Sequence, residues 1–297
     1  MPFLKLSRFF LALSGLLVLG SIALLIVWGP KFSIDFTGGT LMEIQVPGKT
    51  KMDVEAAAKT FDPKGDKLGR IDIASVNGVN GNSLIVRMAP ITNEVHVAFL
   101  ASLNQTFKSV KELQFTTIGP SVSASLKQKS LIALGIASVA LIVYLAFAFR
   151  KLPRKLSPWK FGVLAVLAFI HDVLITSGIF VVISHTTSFE FDPLFVTALL
   201  TILAYSANDT IVIFDRIRAN LFAENRGEQF ATTVQRGLRQ SVTRTLNTTM
   251  AALIMLFALF FLGSESIRWF ILALIVGTII GTYSSYFIAA PLLIYWK

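Results

Sequence analysis

Six long apolar stretches, separated by short polar links, account for most of this chain. They run near Phe9–Trp28, Ser130–Phe149, Phe161–Ser184, Pro193–Phe214, Thr245–Gly263 and Trp269–Tyr295. Each is close to the ~20 residues that a helix needs to cross the hydrocarbon of a bilayer. Between the first and second stretches the pattern changes. LMEIQV reads as a short strand, MDVEAAAKTF as a helix, and RIDIASVNG with SLIVRM as a hairpin around Gly78–Asn82. ITNEVHVAFLASLNQTFK reads as a second helix, with Val95, Phe99, Leu103 and Phe107 at near-helical spacing, and VKELQFTTI as a last strand. The order β-α-β-β-α-β is that of the ferredoxin-like split unit. The pattern therefore predicts a polytopic α-helical membrane protein with six transmembrane helices and one ferredoxin-like α+β extracytoplasmic domain. Residues 1–29 form an N-terminal tail and helix 1, residues 30–129 the outward domain, and residues 130–297 helices 2–6.

Composition agrees, with 54% hydrophobic and 15% charged residues and a mean hydropathy of +0.68, well outside the soluble range. The net charge of +10 would suggest nucleic acid if it were clustered on a folded surface, but its distribution follows the links. Lys5 and Arg8 precede the first stretch. Arg150, Lys151, Arg154, Lys155 and Lys160 lie between the second and third, and Arg216, Arg218, Arg226, Arg236 and Arg239 between the fourth and fifth. The short turns on the other side hold no Lys or Arg in HTTSFEF and only Arg268 in SESIR. Positive-inside bias places both termini and the basic links in the cytoplasm and residues 30–129 in the periplasm or cell exterior. The first stretch has a basic start but ends in WGPKF without a small-x-small site, so it reads as an uncleaved anchor. With no cysteine in the chain, disulfides and thiolate metal sites are excluded. The outward domain shows no nucleophile–base cluster, phosphate loop or metal-ligand spacing, and His96 stands alone on its helix. The expectation is a non-enzyme without metal or cofactor.

The chemistry lies in the apolar stretches. A carboxylate at membrane depth costs at least ~2.5–3.5 kcal/mol on insertion scales, so it usually faces a partner, water or an ion path. Asp209 sits ~7.5 Å inside the cytoplasmic end of helix 4, and Thr248 at similar depth in helix 5. Arg244, Asn247 and Thr248 share one face of helix 5 by i, i+3, i+4 spacing and could offer a guanidinium, an amide and a hydroxyl to Asp209. The competing reading is a structural ion pair that locks two helices. His171 and Asp172, near the midplane of helix 3, either extend a proton path or brace the bundle. Asp215 and Arg216 read as interfacial charge pairing. Gly277 and Gly281, with Thr278, Thr282, Ser284 and Ser285, read as close helix packing.

Taken together, SIDFTGGT, GPSVSASL, HDVLIT, ANDTIVIFDRIR, SVTRTLNTT and SSYFIAAPLL, in this order along nearly the whole chain, resemble the SecF family. That family supplies the smaller partner of the SecD–SecF complex, in the resistance-nodulation-division superfamily. One departure is Ala219, where an acidic residue would be expected after FDRIR. The resemblance implies half of a resistance-nodulation-division-type bundle, completed by SecD. It implies association with the SecYEG channel, YajC and YidC, a translocating preprotein as cargo, the proton-motive force as energy source, and the cell inner membrane as location. Asp209 matches the family's proton-site aspartate and Arg244 the arginine facing it, while Asp35, Gly38 and Gly39 match the start of the outward domain. Two other readings stay open: a scaffold of the channel without proton coupling, and a half-transporter for small hydrophobic solutes. H⁺ and Na⁺ are not distinguished.

Overall fold

The structure is a computed structural model and describes residues 2–78, 81–150, 157–223 and 229–296. Lys151, Arg154, Lys155 and Arg226 of the basic links, and the hairpin tip at Val79 and Asn80, lie outside the described residues. The chain divides into two units, one holding residues 31–130 with Glu190–Pro193 and the other the remaining helices.

Helix α1 (Pro2–Val27) is the first apolar stretch. The α+β unit then begins with α2, a single turn at Ile34–Thr37 that the apolar pattern gives no sign of. It continues through β1 (Gly39–Gln45), α3 (Lys51–Phe61), β2 (Asp72–Gly78), β3 (Gly81–Met88), α4 (Asn93–Phe107) and β4 (Lys111–Ile118). The sheet order is β2-β3-β1-β4, with every neighbouring pair antiparallel, which is the split β-α-β arrangement predicted for this region. Alternation along β1 points Met42 and Ile44 to one face of the sheet, where they meet Val54 and Ala58 of α3 and Phe99 and Leu103 of α4, all fully buried. Each of these side chains larger than alanine contributes about 1.5–3 kcal/mol by leaving water. Asp62, just past α3, accepts the backbone N–H groups of Leu68 (2.7 Å), Lys67 (2.9 Å) and Asp66 (3.1 Å) and so folds the loop to β2. The N–H of Leu68, then those of Lys67 and Asp66, hold its carboxyl below the usual range against the opposing effect of burial. His96 is not isolated: it stacks on Phe115 at 3.8 Å and its Nε2 lies 2.9 Å from Glu112 of β4.

The double glycine of SIDFTGGT has a steric explanation. Gly38 (φ 74°) and Gly39 (φ 132°) take up backbone conformations that side chains rarely adopt. A Cβ on Gly39 would stand 2.8 Å from the Met88 carbonyl oxygen. Together the two residues turn the chain from α2 into the central strand, close against β3.

The remaining helices are α5 (Pro120–Ala148), α6 (Pro158–Thr186), α7 (Pro193–Phe222), α8 (Phe230–Leu262) and α9 (Arg268–Ser284). A π-helical turn, Ser285–Ala289, links α9 to α10 (Ala290–Tyr295). Among the described residues six spans are long and apolar enough to cross a membrane. Helices α5 and α8 start well before the predicted apolar cores, because a helix satisfies its own backbone and continues through amphipathic sequence such as FATTVQRGLRQSVTR. The π turn precedes Pro291, which cannot donate to the carbonyl one turn back. Helices α6, α7 and α9 are about half buried, whereas α1, α5 and α8 present most of their apolar surface outward. Gly277 and Gly281 lie against Ile202 and Ser206, so α9 packs closely on α7. At the end nearer the basic links, Phe149, Phe161 and Phe214 form an aromatic core, with Phe161 stacked on Phe149 (5.1 Å) and edge-on to Phe214 (4.9 Å). Asp215 pairs with Arg218 at 2.7 Å and not with the adjacent Arg216, because residues three apart share a helix face and neighbours do not.

Candidate functional site

The membrane unit holds a layer of polar side chains in its interior. Asp172 of α6 is fully buried. Its Oδ2 accepts hydrogen bonds from Ser206 Oγ of α7 (2.8 Å) and Ser284 Oγ of α9 (2.9 Å), and its Oδ1 lies 3.0 Å from His171 Nδ1. Both carboxylate oxygens are thus engaged, as burial of such a group requires. The other ring nitrogen of His171 is buried without a described partner.

Asp209 of α7 is 1% exposed. Thr282 Oγ1 of α9 donates to its Oδ2 at 3.0 Å, and Thr249 Oγ1 of α8 lies 3.0 Å from Thr282 Oγ1. Beside it, Thr210 and Ser285 bring their hydroxyls to 2.9 Å, and Ser285 Oγ also donates to the Gly281 carbonyl at 2.9 Å. Ser206 and Asp209 stand one turn apart on α7, while Thr282 and Ser284 are two residues apart on α9. The two carboxylates are therefore served by the same pair of helices, next to the π turn. Asp172 has three described polar partners, and Asp209 has one described donor. A buried charge with an incomplete shell is costly, so of the two carboxylates Asp209 has the larger unmet demand for donors among the described residues.

The structure does not bring Arg244 onto Asp209. Arg244, Asn247 and Thr248 are exposed, and Thr248 Oγ1 is spent on its own helix, donating to the carbonyls of Thr245 (2.9 Å) and Arg244 (3.2 Å). Helix α8 meets the rest of the unit through Ser241, Thr245 and Thr249, which are buried. That seam lies one residue, or ~100°, around the helix from the predicted face. Position along α8 can be counted from the sequence, but azimuth is set by packing. The hydroxyls of Thr282 and Ser284, read in the sequence as small packing residues, are the donors that reach the carboxylates. Thr278, Thr282 and Ser285 recur at i, i+4, i+7, and Ser284 follows Gly277 and Gly281 at the same spacing on a different face, which was the signal available for this. Asp35 lies near the double glycine, where Ser33 Oγ donates to its Oδ2 at 3.0 Å, and belongs to the fold of the α+β unit. Among the described residues no group of His, Asp and Glu is placed to hold a metal.

Residues 98–297 match the family described as Protein export membrane protein SecD/SecF, C-terminal, and residues 24–46 match the SecD/SecF GG Motif. The protein translocase subunit SecF of Thermobaculum terrenum is 36% identical over 97% of this chain and 91% of the relative. That of Anaerolinea thermophila is 33% identical over 97% and 91%. A crystal structure of SecDF from Thermus thermophilus, a translocon-associated membrane protein, matches all of this chain with a TM-score of 0.83 and 31% identity. The chain spans 38% of that SecDF chain. A SecDF in a super-membrane-facing form gives a TM-score of 0.67 at 29% identity.

Proposed function

The chain belongs to the SecD/SecF family of protein-export membrane proteins, as a SecF-type translocase subunit of the Sec pathway, and from that premise we propose that it couples the proton-motive force to the late stage of preprotein translocation. Asp209 takes up and releases the proton. The observation that carries this reading is a carboxylate 1% exposed at membrane depth with one described donor, Thr282. Uptake of a proton weakens the hydrogen bond from Thr282, and the chain of hydroxyls through Thr249 hands that change to α8 and α9. The His171–Asp172 pair, tied to the same two helices by Ser206 and Ser284, holds the neighbouring layer in register.

SecD covers the apolar faces of α1, α5 and α8 that the chain leaves exposed. The Arg244 face of α8 is then directed to the seam between the two halves, and Arg244 acts on Asp209 or its partner counterpart only in the assembled bundle. The chain sits in the cytoplasmic membrane with both termini inside and the α+β unit outside, where it holds the emerging polypeptide. SecYEG is the channel served, with YajC and YidC as accessory partners. It performs no bond-making chemistry. Each charge moved inward is worth about 2.3 kcal/mol per 100 mV.

The test is Asp209→Asn, which keeps shape and removes the titratable group. In vesicles containing SecD and the channel, the variant is expected to fold, assemble and lose gradient-responsive export. Gradient-responsive export by well-folded Asp209→Asn would refute proton coupling and leave the scaffold reading. An apolar solute carried by the chain with SecD in the absence of the channel would favour the half-transporter.

A further inference from the structure

The connection between α6 and α7 is short, and its residues Glu190–Pro193 group with the α+β unit and not with the helices that they join. Two kinds of contact hold them there. Phe191 N–H donates to the Lys31 carbonyl at 2.8 Å, and Ser33 N–H donates to the Phe191 carbonyl at 3.0 Å. These make a one-rung parallel bridge between Phe32 and Phe191, whose rings meet edge-on at 6.2 Å. Glu190 Oε1 lies 2.7 Å from Arg87 Nη2, with both side chains only 17% exposed. Arg87 stands on β3 opposite Leu41 of β1, and its Nη1 reaches Asp72 of β2 at 3.5 Å. An ordinary surface connection satisfies its polar groups with water. A partly buried ion pair must recover its desolvation cost through geometry, and this one is joined by two main-chain hydrogen bonds.

The placement of these contacts matters because α6 carries Asp172 and α7 carries Asp209, so the connection is covalently continuous with both carboxylate-bearing helices. The main-chain rung lands on Lys31–Ser33, directly ahead of α2 and the double glycine that leads into β1. The ion pair lands on β3. We propose that Glu190–Phe191 is the transmission strap of the export cycle, delivering displacement of α6 and α7 to the two central strands of the sheet, to β1 through Ser33 and α2 and to β3 through Arg87. The hydrogen-bonded rung fixes the strap along the chain direction, and the charged pair fixes it laterally. Arg87 and Glu190 are positioning residues that touch no cargo. The inference rests on the reading of the chain as a cycling export subunit.

The experiment uses the full chain with SecD and the channel in vesicles, and reads amide exchange and export side by side. Glu190→Gln keeps size and removes the charge. A reversed pair, Arg87→Glu with Glu190→Arg, is made with Asp72→Asn, because a carboxylate at position 87 would otherwise face Asp72. Exchange across residues 188–193 is expected to rise about tenfold in Glu190→Gln, the equivalent of one charged hydrogen bond. Export should fall by a similar factor while protection in β1 and β3 persists. The reversed pair should return both to near wild type. Unchanged exchange, faster exchange with normal export, or a reversed pair that restores protection but not export would each overturn the strap. If Glu190→Gln unfolds the sheet, Arg87→Lys, which keeps the charge and loses the fork, serves in its place under the same criteria. Failure of proton coupling gives a different signature: wild-type export would not respond to the gradient, while exchange and export would still fall and recover together in the strap variants.

Discussion

Replacing Thr282 by valine tests the hydrogen bond on which the site depends. The substitution conserves volume and branching and deletes one hydroxyl, which donates to Asp209 Oδ2 at 3.0 Å and meets Thr249 Oγ1 at 3.0 Å. A hydrogen bond to a charged group contributes ~1.5–3 kcal/mol, whereas hydroxyl bonds between neutral groups in membrane bundles average ~0.6 kcal/mol. Thr282→Val should therefore cost about 2 kcal/mol in the wild-type background if Asp209 rests ionised. In Asp209→Asn, where the acceptor is a neutral amide, it should cost about 0.6 kcal/mol. The difference, about 1.4 kcal/mol, is a tenfold change in an unfolding equilibrium. A double-mutant cycle measured by reversible unfolding in mixed micelles isolates it. Ser138→Ala is the control, because Ser138 Oγ only donates to the Leu134 carbonyl of its own helix at 2.8 Å. A coupling within the ~0.3–0.5 kcal/mol scatter of independent sites would refute an ionised Asp209 held by Thr282. Gradient-driven export should fall with the coupling in Thr282→Val and remain normal in Ser138→Ala.

Three further outcomes follow from the geometry. Gly39→Ala should destabilise the α+β unit by about 2–3 kcal/mol, combining backbone strain with the collision at the Met88 carbonyl; hydrogen exchange in β1 and β3 reads this, and wild-type protection would contradict it. Single cysteines at Lys64 and at Ser157 should label from opposite sides of the membrane, and labelling of both from one side would overturn the six-span topology. Asp62 has its carboxyl held below the usual range, chiefly by the Leu68 N–H, so its stabilising effect is present above ~pH 4, the unfolded value, and is lost as pH falls through the folded one. Asp62→Asn should therefore be less protected than wild type at pH 7, with the gap closing on acidification, and a gap that widened in acid would contradict the assignment.

What could be read in the sequence divides along a physical line. Short-range periodicity carried the α+β unit, because alternation in LMEIQV and the helical spacing of Phe99 and Leu103 are imposed by the faces that must be buried. Span length and number were equally legible, since hydrocarbon thickness dictates them. The position of Asp209 within its apolar run could be counted from the sequence, and the structure buries it. Its partner could not be read in this way, because which face of α8 turns inward is decided by many small contacts between helices. In the folded chain those contacts favour the seam of Ser241, Thr245 and Thr249 over the adjacent face of Arg244, Asn247 and Thr248. The cost of a charged group offers no guidance here, as an exposed Arg244 at the margin of a span can reach the interface with water whereas a misplaced threonine cannot. Hence the sequence made the arginine conspicuous and the hydroxyls of Thr282 and Ser284 ordinary, although it is the hydroxyls that meet the carboxylates. The Glu190–Arg87 pair was illegible for another reason. Its partners lie about a hundred residues apart in turns and strands that carry no common pattern, and only the closed sheet brings them together.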